Sequence, residues 1–415
     1  MVEVAPSGGG ARLAEGHASA GTDDKTVAWG WVVAGLVLFH VAYLAVIWMA
    51  LQLWGNLDGS MFFRVNQRWP RDGCPVFASH FATWDAAHYL ALSEVGYERG
   101  SPSCAFYPLW PLAVRAGAVF THGNHLLAGL LLANACSIGA LTIFYRMAAQ
   151  RFGGIAARWS LVWLAAFPGA LFFHFIYSES LFLLLCLLLW RALAHDRWGP
   201  AFRFAFCLPL TRAVGVFCLG PILYAVVKRH WLATRQGEAV RPRLGSGWLR
   251  SEPGWVLVGP LAGWLFYLAL MWIWTGHPFE GFDAQKHWGR VHSLSNLVNW
   301  PKFVWALFHP SAWHEFGGSL LDRCVFAMLL FCLPGLWRID QGLCLWAIFL
   351  GVVPAMSGTF TSFTRFGCVV FPMFLALGIA LIRPRWRSWR WLLLGFFLSL
   401  QAVLVWRFVN FRWAG

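Results

Sequence analysis

Residues Val27–Leu53 read VAWGWVVAGLVLFHVAYLAVIWMALQL, an apolar run longer than the about 20 residues that cross bilayer hydrocarbon as a helix. It is too long for a signal peptide and lacks the small-residue cleavage pattern, so it reads as a retained transmembrane helix. Comparable runs recur along the 415 residues, of which 59% are hydrophobic and only 12% charged. Mean hydropathy is +0.58. The short alternating segments of a β-barrel do not appear. The chain is therefore expected to be an all-α polytopic membrane protein, because a helix satisfies its own backbone groups in lipid. Its 28 Trp fit repeated crossings of the headgroup level, which indole rings favour. The net charge of +14 would suggest nucleic acid in a soluble protein; here topology and anionic lipid account for it, and no nucleic-acid partner is expected.

Basic residues set the topology. Clusters fall at Arg146/Arg151/Arg158, at Arg191/Arg197/Arg203, from Lys228 through Arg250, at Arg338, and at Arg383/Arg385/Arg387/Arg390. Placed in the cytoplasm by the positive-inside rule, they leave the loops 54–104 and 276–320 and the segments near Ser178 and Arg365 on the other side. Residues 1–26, with Gly8-Gly9-Gly10, read as a disordered cytoplasmic lead, and 27–412 as one membrane domain of about eleven spans. The stretch 203–227 splits at Arg212 and Gly215 into two short helices, and Pro108/Pro111 dips into the outer leaflet without crossing.

This topology gathers the unusual polar residues at one face: Asp85, His88, Glu94, Glu98, Ser178, Glu179, Lys286, His287, Arg290 and Arg365. Outside loops carry polar residues anyway. Glu179 and Arg365, however, adjoin apolar runs, where an ionised group needs a partner or a wet cavity. Asp85 could cap a helix opening at Thr83-Trp84-Asp85, or act as a base. Glu179 could satisfy helix-start amides, or turn inward to a pocket or to Arg365. No dedicated metal-ligand spacing occurs and no cofactor is expected, although Asp85 and Glu179 could share a divalent ion. Residues 91–100 read as an amphipathic segment on the membrane surface, with Leu90, Leu92, Val95 and Tyr97 toward lipid. Cys74 and Cys104 bracket the Trp84-Asp85 pair, and an oxidising compartment could join them.

Several motifs follow one another in order: Trp84-Asp85-Ala86-Ala87-His88-Tyr89-Leu90, Gly96-Tyr97-Glu98, and Ala105-Phe106-Tyr107-Pro108-Leu109-Trp110-Pro111. Phe167-Pro168 then leads to Tyr177-Ser178-Glu179-Ser180-Leu181-Phe182, followed by Thr211-Arg212 with Gly215, Gln285-Lys286-His287-Trp288-Gly289-Arg290, and Ser362-Phe363-Thr364-Arg365-Phe366. The ordered set resembles the PIG-V family of mannosyltransferases, which includes GPI mannosyltransferase 2, over about residues 30–385, and the compact chain resembles prokaryotic members.

The resemblance implies a GT-C glycosyltransferase: a multi-span bundle with interfacial helices in the first external loop, which carries an essential aspartate. Such an enzyme faces away from the cytoplasm and moves mannose, with inversion, from a polyprenyl-phosphate-mannose donor to a lipid-linked glycan acceptor. The membrane would be the plasma membrane of a prokaryote, or the endoplasmic reticulum of a eukaryote. Asp85 is then the expected base. Trp84, His88, Glu98, Tyr107, Glu179, Arg212, Gln285, Lys286, His287, Arg290 and Arg365 are the expected substrate-binding residues, the cations among them suiting a leaving phosphate. Ala213-Val214 replaces the Ser-Asn expected of eukaryotic GPI enzymes after the arginine, which leaves the acceptor open. The alternatives are a GT-C transferase of another sugar and a transporter or flippase of lipid-linked sugars; the latter would line a path through the bilayer midplane with charge.

Overall fold

The computed structural model describes residues 28–66, 68–70, 73–235, 253–288, 308, 313–314, 319–357 and 362–415. Residues 1–27, Arg290 and most of the loop 276–320 lie outside the described residues, so the disordered lead and the role given to Arg290 have no structural counterpart here.

Among the described residues there is no strand. The longer helices are α1 (Ala28–Trp54), α2 (Asp85–Val95), α3 (Leu109–Ala118), α4 (His125–Phe152), α5 (Gly154–Ala166), α6 (Glu179–Ala194), α7 (Trp198–Thr211), α8 (Leu219–Arg235), α9 (Val258–Thr275), α10 (Leu320–Ile339), α11 (Phe371–Leu381) and α12 (Arg387–Val409). Among the described residues six helical stretches are long and apolar enough to cross a membrane, among them α1, α4 and α10, and four further apolar helices are shorter. These lengths establish an integral membrane bundle without fixing the expected number of eleven spans. Exposed Trp31, Leu38, Trp272, Ile273 and Phe331 show what the bundle offers to lipid.

The first long apolar run forms α1, within two residues of its sequence limits. Helix α4 is central, packing on α1, α3, α5 and α6; α5 packs on α11, and α7 bridges α6 and α9. Trp163, Phe167, Phe182 and Phe371 fill the main core, and a second apolar cluster around Trp110, Phe172, Phe175 and Phe408 lies under α2.

Helix breaks position the site. Pro168 disfavours helix at Phe167, so α5 stops at Ala166. Carbonyls left over at such an end are costly in a membrane. Gln401 of α12 takes two, donating from Nε2 to the Ala165 oxygen at 3.0 Å and to the Phe167 oxygen at 2.9 Å. The second break comes at Arg212, whose extended φ of −156° ends α7. The Gly215 Cα then lies against the Leu208 carbonyl, where a Cβ would overlap it. The chain thus divides at the residues that the sequence marks.

Gly169 serves a similar close approach: a Cβ there would overlap the carbonyl oxygen of Thr364. Only glycine lets the segment Pro168–Phe173 meet the turn that precedes Arg365. Gly169→Ala is expected to cost about 1–3 kcal/mol through overpacking, seen as a lower thermal midpoint of the detergent-solubilised protein. An unchanged midpoint would show that the two backbones separate freely.

One expectation is corrected. Leu90 and Leu92 are buried at 0% and 4% exposure, so they pack inside the protein instead of facing lipid; Val95 alone of that set stays exposed. Tyr97 stacks on Trp274, with ring centroids 5.0 Å apart, and donates to the Phe106 carbonyl. The reason is that α2 is covered by α3, whose Arg115 donates from Nε to the Ser93 carbonyl at 2.6 Å and from Nη2 to the Glu94 carbonyl at 2.8 Å. Those bonds satisfy the carbonyls at the end of α2.

Candidate active site

Asp85 is the first residue of α2, and the residue before it holds an uncommon backbone: Trp84 has φ 58° and ψ −129°. Such a conformation costs a bulky residue about 1–3 kcal/mol. Buried Asn66 offsets part of it, its side-chain oxygen accepting the Trp84 N–H at 2.9 Å. No side chain caps the helix at Trp84. The Asp85 carboxylate instead accepts from Nη1 of Arg365.

Arg365 belongs to the short helix Phe363–Gly367, entered through Ser362 at φ 69°. This turn is held by Asp322, 1% exposed, whose carboxylate accepts the Thr364 N–H at 2.6 Å. Asp322 is held in turn: its own N–H donates to Ser319 Oγ at 3.0 Å, and that hydroxyl bonds His314 Nδ1 at 2.8 Å. A chain of polar contacts therefore runs from His314 to the residue beside Arg365.

Arg365 bridges two acids. Its Nη1 donates to Asp85 and its Nε to Glu179, and Arg212 Nη1 donates to the same Glu179 oxygen. Glu179 opens α6, and its side chain is wholly buried. The order Asp85, Arg365, Glu179, Arg212 alternates in sign and sums to zero, the arrangement that lets charges stay buried. Arg365 lies over the Tyr177 ring at 4.4 Å and Arg212 over Phe366 at 4.8 Å, so aromatic faces add to the charge pairing. Arg212 also donates to Ser178 Oγ at 3.3 Å, and that hydroxyl meets the Tyr89 hydroxyl at 3.0 Å. The place between the two carboxylates, where a shared ion was conceivable, is filled by a guanidinium.

Asp85 and Arg365 open onto a narrow cavity of about 10 Å³, walled by Phe172 and Tyr177 and closed by Trp413 and Gly415. The chain returns there after α12 through Phe411, at φ 62°, and Trp413 sets its edge against Trp84 with centroids 5.2 Å apart. A Cβ on Gly415 would lie 3.5 Å from Arg365 Cδ.

The other expected residues are placed apart from this row of charges. His88 is bonded through Nδ1 to Ser103 Oγ at 2.8 Å and stacked on Phe106. Burial pulls its imidazole down to about 4, with the Asp85 charge opposing, so it is neutral near pH 7. The carbonyl of Glu98 accepts from the Cys104 thiol at 3.1 Å, and Tyr107 stacks on Tyr267 at 4.5 Å. Gln285 Nε2 donates to the Ala105 carbonyl at 3.0 Å. Lys286, 78% exposed, bonds Asp283 at 2.8 Å, and His287 is exposed. Gln285, with the Glu280 carboxylate that accepts the Gly100 N–H at 2.6 Å, ties the 97–107 segment to the 280–288 segment. Cys104 is buried beside Ala284 and Cys74 is exposed; the two are not joined.

Sequence reasoning did not find Asn66, Asp322 or the 413–415 segment. Asn66 and Asp322 act on backbone N–H groups 18 and 42 residues away, which leaves no periodic trace.

The helical membrane bundle thus gathers paired acids and arginines where its helices break. Residues 56–242 match the model of the family described as Mannosyltransferase (PIG-V), and the resemblance read from the motifs is borne out over that stretch. No curated protein matches the chain. Among solved structures, ArnT of Cupriavidus metallidurans bound to undecaprenyl phosphate is similar, at 16% identity and TM-score 0.50 over 87% of this chain and 63% of that one. ArnT in the apo state, at 19% identity, gives TM-score 0.48 over 87% and 62%. The Archaeoglobus fulgidus oligosaccharyltransferase tethered with an acceptor peptide, at 13% identity, gives 0.43 over 93% and 55%. The likeness to ArnT is one of fold, and this chain spans about 63% of that protein's length.

Proposed function

We propose that the protein is an inverting glycosyltransferase that moves mannose from a polyprenyl-phosphate-mannose donor to a hydroxyl of a lipid-linked acceptor, at the membrane face away from the cytoplasm. The observation that carries the reading is the alternating row Asp85, Arg365, Glu179, Arg212. Asp85, at 19% side-chain exposure, is the acid of that row that solvent and substrate can reach; Glu179 is sealed. The lipid-phosphate carrier is suggested by the ArnT structure bound to undecaprenyl phosphate.

In the proposed reaction the acceptor oxygen attacks the anomeric carbon as Asp85 takes its proton. The bond from that carbon to the phosphate oxygen breaks, and its electron pair leaves with the polyprenyl phosphate. Negative charge grows on the phosphate as the bond lengthens, and a guanidinium already held in place stabilises it without reorganising. Arg365 has a planar fork suited to this, and buried Glu179 keeps Arg365 and Arg212 together until phosphate arrives. The cavity holds about one water, so a sugar enters by displacing Trp413–Gly415.

The test uses purified protein in vesicles with radiolabelled polyprenyl-phosphate-mannose, glucose or aminoarabinose and a lipid extract as acceptor. Transfer of mannose supports the reading, and transfer of another sugar alone reassigns the donor. No transfer from any of the three, with the protein folded, overturns it.

Asp322 is a positioning residue in this scheme. Asp322→Ala is expected to lower kcat about 10- to 100-fold, since a displacement near 1 Å suffices for that. Asp322→Asn keeps an acceptor for the Thr364 N–H and should restore most of the rate. Equal losses in both variants, tracking a loss of folded protein, would leave Asp322 with a purely structural part.

A further inference from the structure

Helix α12 ends in a turn that sends the chain back over the candidate active site. The Phe411 N–H donates to the Phe408 carbonyl at 3.1 Å and the Arg412 N–H to the Arg407 carbonyl at 2.8 Å, a helix stop that ordinarily has glycine where Phe411 stands. Phe411 takes φ 62° there, a conformation that disfavours a bulky side chain. Its buried ring holds it in place, stacked on His80 with centroids 5.2 Å apart and edge-on to Phe62 at 5.6 Å. The turn is thus anchored in the core, and the three residues Trp413, Ala414 and Gly415 beyond it wall the cavity beside Asp85 and Arg365.

One side chain ties that segment down. Arg407, half-buried in the last turn of α12, donates from Nε to the Trp413 carbonyl at 2.7 Å and from Nη2 to the His314 carbonyl at 3.1 Å, with its guanidinium over the Trp313 ring at 5.4 Å. A cation at a helix end commonly serves the free carbonyls of its own helix. Arg407 reaches further, to a carbonyl six residues on and to one 93 residues back, so its charge-assisted bonds join the returning segment to a second part of the chain. The cavity underneath has about 10 Å³, room for about one water. A sugar ring enters only when the segment lifts.

We infer that Arg407 is the latch of a lid formed by Arg412–Gly415, and that this lid gates the access of a polyprenyl-phosphate ligand to Asp85 and Arg365. The ligand class rests on the proposed function; the latch rests on the geometry. Opening breaks the bond from Arg407 to the Trp413 carbonyl while Phe411 keeps the turn in place, so the motion is local. A shut lid lowers the apparent affinity for the ligand in proportion to the fraction of molecules that are open.

Hydrogen exchange of the peptide 408–415, read beside native mass spectrometry with undecaprenyl phosphate added, tests both parts on the full chain. In Arg407→Gln the amides of Arg412–Gly415 should exchange about tenfold faster or more while those of α4 keep the parent rate, and retention of undecaprenyl phosphate should rise about threefold or more. Trp413→Ala, which leaves the carbonyl for Arg407 and removes the edge against Trp84, should also raise retention, and it stands in if exchange in α4 shows Arg407→Gln to be loosened throughout. Parent-like exchange in Arg407→Gln overturns the latch. Faster exchange with retention equal to the parent's overturns the gate. Retention by neither parent nor variants counts against the lipid-phosphate reading of the proposed function, and exchange alone then decides the latch.

Discussion

Asp85→Asn is expected to lower sugar transfer about 10²–10⁴-fold, the range that a positioned general base contributes, while the protein still elutes as the folded parent does. The amide keeps the size of the side chain and loses the capacity to take a proton. Arg365 keeps its bond to Glu179, so the buried part of the charge row survives. The side chain of Asp85 is partly exposed, and its loss as an ion leaves no sealed charge unpaired. Single-turnover transfer at saturating donor is the measurement. A parent-like rate in the variant removes Asp85 from the role of base, whatever the fate of the donor assignment.

Arg365→Met is expected to damage both stability and transfer. Glu179 is wholly buried, and Arg365 supplies one of its two cationic partners. Breaking a buried pair from one side costs about 3–5 kcal/mol, so the thermal midpoint should fall steeply. Arg365→Lys separates the two effects. It restores positive charge, but a single ammonium replaces the Nε and Nη1 donors that now serve two acids at once. The lysine variant should regain most of the midpoint and remain at least about tenfold slower in transfer, since charge-assisted bonds of this kind are worth about 1.5–3 kcal/mol each. If it transfers at the parent rate, the geometry of the guanidinium is irrelevant to the reaction.

The break at Arg212 and Gly215 was legible in the sequence because a charge and a glycine interrupt an apolar run, and lipid tolerates neither without a reason. Glu179 and Arg365 stood out likewise, as ions beside apolar stretches. The surface reading of residues 91–100 failed because an alternation of apolar and charged residues looks the same whether lipid or a neighbouring helix covers the apolar side. Lys286 has its charge met by Asp283, three residues away, a local pairing that the motif pattern did not reveal. Trp413 and Gly415 carry no polar signal at all; they wall the cavity only because Phe411 turns the chain back.

The sequence alone determined that this chain lives in a membrane and which of its few ions are out of place, because hydrocarbon penalises charge residue by residue. Tertiary structure decided which ions meet. Asp85 and Arg365 are 280 residues apart, and nothing in either neighbourhood names the other. Their contact follows from where α2, α6 and α7 start or stop and from two glycines that let backbones touch, a matter of three-dimensional closeness that no local pattern encodes.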